Sequence, residues 1–319
     1  MSVLVVGSVA LDSVETPFGK RPNALGGSAT YFSTAASLLT DVQLVAVIGE
    51  DFPEEHVQFL KGRGVDLAGL RRVPSGRTFR WAGRYGENLN EAETLETQLN
   101  VFADFRPELP EHFRSTGHVF LANIHPELQL RVLDQVRDPK LVALDTMNFW
   151  IKGERAALLK VLKRADVLTI NDGEARLLAG EHNVVKAAAA IRKMGVGAVV
   201  VKRGEYGALY FHDDTNLFWA PAYPLESVFD PTGAGDSFAG GFMGYMSRVA
   251  NSPVYLRQAV VMGCMMASFT VEEFSVDRLA RVTKAELMRR FERFRQLTTF
   301  EDIAEIDLVA AENTGGVGG

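Results

Sequence analysis

A glycine-rich segment that ends in an acidic residue is the part of this sequence best suited to chemistry. Residues Phe229–Phe242 read FDPTGAGDSFAGGF, so a Gly-Ala-Gly turn leads into an apolar, small-residue helix predicted to begin near Asp236. Such a turn exposes several N–H groups together, and the helix start adds unpaired donors and the positive end of its dipole. The segment is therefore suited to bind an anion.

Asp236 stands next to this anion-binding turn. A carboxylate there would accept the proton of a hydroxyl group bound beside the anion. Phosphoryl transfer to an alcohol requires this pair of features, because its catalysis consists mostly of positioning and charge stabilisation. The simpler alternative is that Asp236 caps a helix while the glycines only form a tight turn. The length of the segment favours phosphoryl transfer.

The rest of the chain predicts the elements that would hold this segment. Short uncharged runs rich in Val, Ile and Leu alternate with amphipathic runs, which is typical of an α/β fold with a mostly parallel sheet. The predicted strands are Ser2–Ser8, Gln43–Ile48, His118–Leu121, Leu141–Leu144, Val167–Ile170 and Ala198–Val201. The predicted helices include Pro53–Lys61, Glu127–Val136, Arg155–Lys163 and Val184–Met194.

Two segments, at about 13–25 and 75–102, depart from this alternation. The first is not helical, and the second contains two strand-like runs, Thr78–Tyr85 and Thr94–Phe102, around a turn. Together they predict a small antiparallel sheet beside the main one.

Residues 79–85 of this small sheet would present two different faces, because side chains alternate along a strand. One face carries Phe79, Trp81, Gly83 and Tyr85, and the other carries Arg80, Ala82 and Arg84. If the aromatic face meets a ligand, Trp81 would stack on a sugar ring or a nucleobase. If the arginines meet it, they would favour an anionic ligand, unless they pair with acidic residues across the sheet.

The composition excludes several classes of protein. Lys and Arg number 34 against 40 Asp and Glu, and without a basic run a net charge of −6 gives no reason to expect a nucleic-acid partner. The single cysteine, Cys264, excludes an intramolecular disulfide, and its apolar surroundings indicate core packing. The sequence predicts a soluble cytoplasmic protein without membrane spans, with a poorly ordered acidic and glycine-rich tail at residues 301–319.

Other common site motifs are absent from the sequence. There is no GxxxxGK[ST] loop, no GxGxxG that leads from a strand into a helix, and no metal-ligand spacing among the six histidines. His125 follows a predicted strand, so it either reaches the ligand-binding edge of the sheet or lies in a loop.

The segment FDPTGAGD resembles the DTTGAGD signature of the ribokinase-like (PfkB) carbohydrate kinase family. Further similarities to that family extend along most of the chain. They are Gly7-Ser8 with Asp12, Leu25–Ala29 (LGGSA), Val47–Asp51 with Gly64–Asp66, the NxxE element Asn171–Glu174, and Gly204 with Gly207. The resemblance implies one domain over residues 1–300, a three-layer α/β/α sandwich whose lid is the small sheet predicted above.

The resemblance also implies roles for individual residues. Asp236 would be the catalytic base, and Gly233, Ala234 and Gly235 would form the anion hole for the transferring phosphoryl group. Substrate hydroxyls would be bound by Asp12, Gly26 and Gly27. Two further candidate substrate contacts do not come from the resemblance: Tyr31, where the chain departs from the family pattern, and Trp81, on the aromatic face of the predicted lid. Nucleotide contacts would come from Asn171, Glu174, Lys202, Gly204, Gly207 and Phe274, the last as part of an adenine pocket.

The resemblance also implies two cation sites. Asn171 and Glu174 would act on Mg²⁺ through its water shell near the phosphates of ATP. Asp230 and the backbone of Thr232 would lie beside a monovalent-cation site of the kind that binds K⁺.

Three departures from the family pattern bear on specificity. Tyr31 stands where many sugar kinases of the family carry an asparagine, so the substrate cannot be copied from ribose or fructose kinases. Lys202 replaces a threonine, and either approaches a phosphate or lies in solvent. Asp145, at a strand end, either contacts substrate or phosphates through water or has a structural role.

The expected activity is ATP-dependent transfer of the γ-phosphoryl group to a hydroxyl of a sugar or sugar-like polyol. A nucleoside of the adenosine or cytidine type is the alternative acceptor, and inositol is a third. A catalytically inactive, ligand-binding relative is the non-enzymatic alternative, although the intact Gly233–Asp236 sequence disfavours it. A homodimer that associates through the lid is also expected.

Overall fold

The computed structural model describes residues 1–213 and 217–302. Within these residues the strands are β1 (Ser2–Val6), β2 (Ala10–Thr16), β3 (Gly19–Gly26), β4 (Asp41–Gly49), β5 (Val65–Val73), β6 (Phe79–Tyr85), β7 (Ala92–Gln98), β8 (His118–Leu121), β9 (Leu141–Asp145), β10 (Val167–Asn171), β11 (Ala198–Lys202), β12 (Ala208–Phe211) and β13 (Leu217–Ala220). Most of the predicted tail, residues 303–319, lies outside the described residues.

The helices connect these strands and cover the main sheet. They are α1 (Ser28–Ala36), α2 (Glu54–Gly62), α3 (Pro126–Leu133), α4 (Asn148–Gly153), α5 (Arg155–Leu162), α6 (Asp172–Ala179), α7 (Val184–Arg192), α8 (Ala234–Met246), α9 (Pro253–Thr270), α10 (Asp277–Ala280) and α11 (Lys284–Thr298). Among the described residues, no helix combines the length and hydropathy needed to cross a bilayer.

The main sheet has nine strands in the order β13-β12-β11-β10-β9-β8-β1-β4-β5. The seven strands from β11 to β5 are parallel, and β12 and β13 add an antiparallel hairpin at one edge. The six predicted strands all lie in this sheet. Strands β5, β12 and β13 were not predicted. Charged residues interrupt the apolar pattern of β5 (VDLAGLRRV), whereas β12 (ALYF) and β13 (LFWA) are apolar runs of four residues that the prediction omitted.

Two hydrophobic cores lie on opposite faces of the sheet, which makes the predicted three layers. One core packs side chains of α1, α8, α9 and α11 against the sheet, and the other packs α3, α5, α6 and α7 against the opposite face. Cys264 of α9 is buried in the first core, as expected.

Helices α1, α8 and α9 approach one another closely because their contact positions carry small residues. A Cβ at Gly240 of α8 would lie 2.4 Å from the carbonyl oxygen of Phe32 in α1. A Cβ at Gly241 would lie 2.7 Å from Met266 of α9. The glycines that follow the anion-binding turn in the sequence therefore fix the position of α8 under that turn.

The second sheet, called the lid below, consists of β3, β2, β6 and β7 in that order. Its outer pairs, β2–β3 and β6–β7, are antiparallel, but its central pair β2–β6 is parallel. The expectation of a wholly antiparallel lid is wrong, because β2 and β6 leave the main sheet from the same ends of the parallel strands β1 and β5 and so run in the same direction. The second predicted lid strand ends earlier, at Gln98, and a short 3₁₀ turn follows at Asn100–Phe102.

Candidate active site

The anion-binding turn ends in a glycine with left-handed backbone geometry. Gly233 has φ of +74° and caps α8, which therefore begins at Ala234, two residues before the predicted start. A Cβ at Gly233 would lie 2.3 Å from the ring of Tyr31, so the turn rests directly on that aromatic face. Only glycine meets both requirements.

The turn leaves backbone donors available at the start of α8. The Ala234 N–H donates to the carbonyl of Pro231 at 3.2 Å. Among the described residues, the N–H groups of Gly235 and Asp236 have no backbone partner. These two donors, at the positive end of the helix dipole, make the start of α8 suited to hold a phosphoryl group.

Hydrogen bonds to the carboxylate of Asp230 hold the conformation of the anion-binding turn. This buried carboxylate accepts hydrogen bonds from the N–H of Thr232 at 2.9 Å and from the N–H of Ser275 at 3.1 Å. Burial raises its pKa, and these hydrogen bonds oppose the rise. Asp230 therefore fastens the turn to the segment that follows α9, and it places a carboxylate next to the Thr232 backbone.

Asp12 of β2 enters the site from the lid side. Its Oδ2 accepts from the Gly27 N–H at 3.2 Å, and a Cβ at Gly26 would lie 1.9 Å from the same oxygen. Among the described residues its Oδ1 is buried without a hydrogen-bond partner. Burial, with a contribution from Asp236, raises the pKa of Asp12 to about 7. A buried carboxyl with one unused oxygen is suited to bind a hydroxyl group.

Asp236 belongs to a cluster of acidic side chains at the carboxyl ends of the parallel strands. Asp145 ends β9, Glu174 follows β10, and Lys202 ends β11. Lys202 Nζ lies 2.7 Å from Asp145 Oδ2, with 16% and 8% of the two side chains exposed. The same Nζ would lie 3.0 Å from a Cβ at Gly235, so the lysine reaches the start of α8.

The charges of this cluster are not balanced, since one lysine faces three carboxyl groups. Burial and then the charge of Asp145 raise the pKa of Asp236 to about 7, although Lys202 opposes the rise. Burial and Asp145 likewise raise the pKa of Glu174 to about 7. The pKa of Lys202 is raised by Asp145 and Glu174 in spite of its burial. The ammonium group is therefore charged, and Asp236 titrates near neutral pH.

Asn171 and Glu174 form a reciprocal cap at the start of α6. Asn171 Oδ1 accepts from the Glu174 N–H at 2.8 Å, and Glu174 Oε2 accepts from the Asn171 N–H at 3.0 Å. This pattern is a capping box, which satisfies two otherwise unpaired N–H groups. It also fixes the Glu174 carboxyl within the acidic cluster.

The lid covers this site with its aromatic face. Thr232 Oγ1 donates to the hydroxyl of Tyr85 at 3.3 Å, and Trp81 lies over Gly83 and donates from Nε1 to Thr94 Oγ1 at 3.3 Å. The arginines point the other way, where Arg80 pairs with Asp51 at 2.9 Å and Arg84 with Glu15 at 3.5 Å. Of the two orientations left open by the sequence, the structure has the aromatic one.

The chain matches the family model described as pfkB family carbohydrate kinase over residues 20–281. The chain belongs to the PfkB family. It is a kinase of the sugar and nucleoside type, which transfers a phosphoryl group to an alcohol. The fold, with its large parallel sheet and separate lid, is the ribokinase-like fold that the sequence resemblance implied.

Individual relatives of this kinase include nucleoside kinases. It is 32% identical over 255 residues to a cytidine kinase from Thermococcus kodakarensis, covering 78% of this chain and 89% of that protein. Its structure is similar to that of the Methanocaldococcus jannaschii nucleoside kinase, with a TM-score of 0.74 at 20% identity over 92% of this chain and 98% of that one. It is also similar to an E. coli putative ribokinase II in complex with ATP and Mg²⁺, with a TM-score of 0.74, 19% identity and coverage of 92% and 99%.

The two glycines predicted to contact nucleotide lie in a turn after β11. Gly204 and Gly207 both have positive φ, of +52° and +82°, and a Cβ at Gly207 would lie 2.1 Å from the carbonyl oxygen of Ala220. The ring of Phe274 lies 3.6 Å from the Cβ position of Gly19, the first residue of β3. The structure therefore places Phe274 against the lid, and its proposed part in an adenine pocket stays a prediction.

Sequence reasoning missed two lid contacts and left two roles open for His125. Tyr85 was placed on the aromatic face but not at the site, although its period-two relation to Trp81 carried that signal. The contact of Asn90, in the β6–β7 turn, with Gly204 had no signal in the sequence. His125 caps α3, since its Nδ1 accepts from the Glu127 N–H at 3.2 Å, and it therefore has the loop role.

Proposed function

We propose that this kinase transfers the γ-phosphoryl group of ATP to a hydroxyl group of a nucleoside. The observation that carries the proposal is the orientation of the lid, whose Tyr85 meets Thr232 at the anion-binding turn while Arg80 and Arg84 are paired on the outer face. An aromatic cover suits a nucleobase, and the absence of lid arginines from the cleft disfavours an anionic sugar. The cytidine and nucleoside kinases among its relatives support the same acceptor class.

Asp236 acts as the general base in this proposal. Its pKa of about 7 means that much of the carboxyl group is ionised at neutral pH yet remains basic enough to accept a proton. As the acceptor oxygen attacks the γ-phosphorus, the proton of the hydroxyl passes to an Asp236 carboxylate oxygen and ADP leaves. The N–H groups of Gly235 and Asp236 stabilise the charge on the phosphoryl oxygens.

Asp12 and the Gly26–Gly27 pair orient the acceptor. The unused Oδ1 of Asp12 would accept a hydrogen bond from a sugar hydroxyl, while Oδ2 stays fixed by the Gly27 N–H. Orientation of this kind contributes to the rate because the attacking oxygen must lie in line with the leaving group. Tyr31, packed on Gly233, fills the position of the amide found in many sugar kinases, which supports a change of acceptor from a free sugar.

The residues of the acidic cluster fit a nucleotide-bound Mg²⁺. Among the described residues no three His, Cys, Asp or Glu side chains could hold a metal by themselves. The uncompensated carboxyl groups of Glu174 and Asp236 nevertheless supply negative charge and hard oxygen donors, which suit Mg²⁺ held through water and phosphate. The ion would neutralise the charge that develops on the phosphate oxygens. Asp230 and the Thr232 backbone remain the proposed neighbours of a monovalent cation.

The acceptor class is tested by an ADP-release screen with Mg²⁺ and ATP over nucleosides, free sugars, polyols including inositol, and sugar acids. Each acceptor is assayed with and without K⁺. We expect a nucleoside to give the highest kcat/KM. A sugar, an inositol or a sugar acid with a higher kcat/KM would overturn the nucleoside assignment, and no turnover with any acceptor would favour the catalytically inactive alternative.

The base assignment is tested with Asp236→Asn, which keeps the shape of the side chain but cannot accept the proton. We expect kcat to fall by about three orders of magnitude or more, in line with the loss of a general base together with its electrostatic role. The affinity for a non-hydrolysable ATP analogue, measured by calorimetry, should change by less than about threefold. A variant that retains near-normal kcat would contradict the role of Asp236.

A further inference from the structure

The turn between the lid strands β6 and β7, residues 86–91, reaches across to the turn that follows β11. A Cβ at Gly204 would lie only 1.8 Å from Asn90 Oδ1, so the Asn90 carboxamide is packed against the Gly204 backbone. Gly204 also has φ of +52°, and glycine is therefore favoured there by both its backbone conformation and the lid contact. The lid thus touches the proposed nucleotide side of the cleft as well as the acceptor side.

Asn90 is held in place by its own turn while its side chain stays available. Its backbone N–H donates to Asn88 Oδ1 at 3.1 Å, which is an Asx-turn contact. Among the described residues, the Asn90 carboxamide makes no hydrogen bond, and the residue is exposed. A carboxamide offers two N–H donors as well as an acceptor oxygen, so it can bind a phosphate oxygen.

Two cationic side chains flank the Gly204 turn on the sandwich side of the cleft. Lys202 pairs with Asp145 at 2.7 Å, and Arg203 lies over the ring of Tyr206 at 5.5 Å, with its Nε buried and without a hydrogen-bond partner among the described residues. The neighbours of Asn90 in its own turn, Glu87 and Glu91, are acidic and would repel a phosphate. Within the β6–β7 turn, Asn90 is therefore the side chain that both contacts Gly204 and can donate a hydrogen bond to an anion there.

We propose that Asn90 is a nucleotide-positioning residue, whose carboxamide donates a hydrogen bond to the polyphosphate bound at the Gly204 turn when the lid is closed. This inference rests on the proposed function. The same lid covers the acceptor through Trp81 and Tyr85. When the lid closes over a bound acceptor, it therefore also brings Asn90 into contact with the polyphosphate of the nucleotide. Binding of either substrate therefore increases the affinity for the other by the same factor, as linkage requires.

The experiment compares Asn90→Ala with Glu91→Gln, the matched control at the adjacent position of the turn. Affinity for a non-hydrolysable ATP analogue with Mg²⁺ is measured by calorimetry, with and without the best nucleoside from the screen. We expect Asn90→Ala to weaken analogue binding about five- to tenfold in the presence of nucleoside and much less in its absence, so the coupling factor falls. By the same linkage, nucleoside affinity should fall by that factor with the analogue bound and stay unchanged without it. Glu91→Gln should bind the analogue as tightly as the unmodified kinase or slightly more tightly.

Three results would overturn the role of Asn90. They are an unchanged affinity in Asn90→Ala, an equal loss in both variants, and tighter binding by Asn90→Ala, which would mean that the turn blocks the nucleotide. Analogue binding without acceptor is measured independently of turnover. A kinase that binds the analogue but phosphorylates no nucleoside would refute the acceptor assignment while leaving the comparison of the two variants intact.

Discussion

The residues of the active site combine buried carboxyl groups, those of Asp12 and Glu174, and the half-buried carboxyl group of Asp236 with few compensating cations. Asp12, Glu174 and Asp236 each have a pKa raised to about 7, chiefly by burial. For Asp236 and Glu174 the nearby charge of Asp145 adds to the rise, and Lys202 opposes it. A buried carboxyl group that titrates near neutral pH is suited to exchange a proton with an alcohol, whereas one at its ordinary value is too weak a base.

The raised pKa of Asp236 predicts the pH dependence of the reaction. The base must be ionised, so kcat/KM for the nucleoside should rise with pH and level off above about 7. Below that value the rate should fall about tenfold for each pH unit, or more steeply where protonation of Asp12 contributes. A pH–rate profile between pH 5 and 9 checks this, and a profile that is flat down to pH 5 would contradict it.

Thermal unfolding of Asp236→Asn provides the control for this assignment. A carboxyl group whose pKa is raised on folding loses stabilisation as pH rises from its ordinary value of 3.8 to about 7. The Asn variant lacks this penalty, so its Tm should exceed that of the unmodified kinase at pH 8. The difference should shrink toward pH 5, where Asp236 is protonated in the folded protein. A lower Tm for the variant at pH 8 would mean that the Asp236 charge stabilises the fold.

The sequence motifs identified residues of the site that lie close together in the chain, such as Gly233 and Asp236. Contacts between segments that are far apart in the chain had weaker signals in the sequence. The ring of Tyr31 under Gly233 and the carboxamide of Asn90 against Gly204 depend on how the lid and α1 meet the main sheet. Neither periodicity nor spacing encodes that geometry, so these contacts required the structure.

Among the secondary-structure elements, the apolar strands were the most predictable and the lid the least. Strand β8 has the predicted bounds, because an apolar run that is buried on both faces has clear ends. In the lid, β2 continues almost directly from β1, and its polar residues gave no strand signal of their own. The period-two alternation of β6 predicted which residues share the aromatic face and which share the arginine face. It did not predict which of the two faces meets the site.

The aromatic face of β6 predicts a specific effect on the acceptor. Removal of the indole in Trp81→Ala should raise the KM for the nucleoside about fivefold or more, because base–aromatic stacking is worth roughly 1–3 kcal/mol. The KM for ATP should change little. Trp81→Phe is the matched control, since it keeps a ring for stacking while it loses the hydrogen bond to Thr94. Equal increases in both KM values, or the same loss in the Phe and Ala variants, would contradict a stacking role.

The whole molecule consists of a sandwich and a lid, and three of the contacts between them involve segments that border the cleft. The β2–β3 turn brings Phe18 to Phe229 with ring centroids 5.4 Å apart, Tyr85 meets Thr232, and Asn90 meets Gly204. All three contacts lie on segments that border the proposed phosphoryl-transfer site. The dimer expected from the sequence stays a prediction, as does the division of the chain into one domain and a tail.

Docking of the lid on the sandwich should determine how well water is excluded from the site. Water competes with the nucleoside for the phosphoryl group, so a poorly closed lid should allow ATP hydrolysis. In Phe18→Ala the contact with Phe229 is lost, and we expect the ratio of ADP formed to nucleotide product to rise several-fold. Leu95→Ala, an apolar truncation at an exposed position of the same lid, is the control and should keep a ratio near one. An unchanged ratio in Phe18→Ala would show that this contact is not needed to seal the site, and an equal rise in both variants would point to a general weakening of the lid instead.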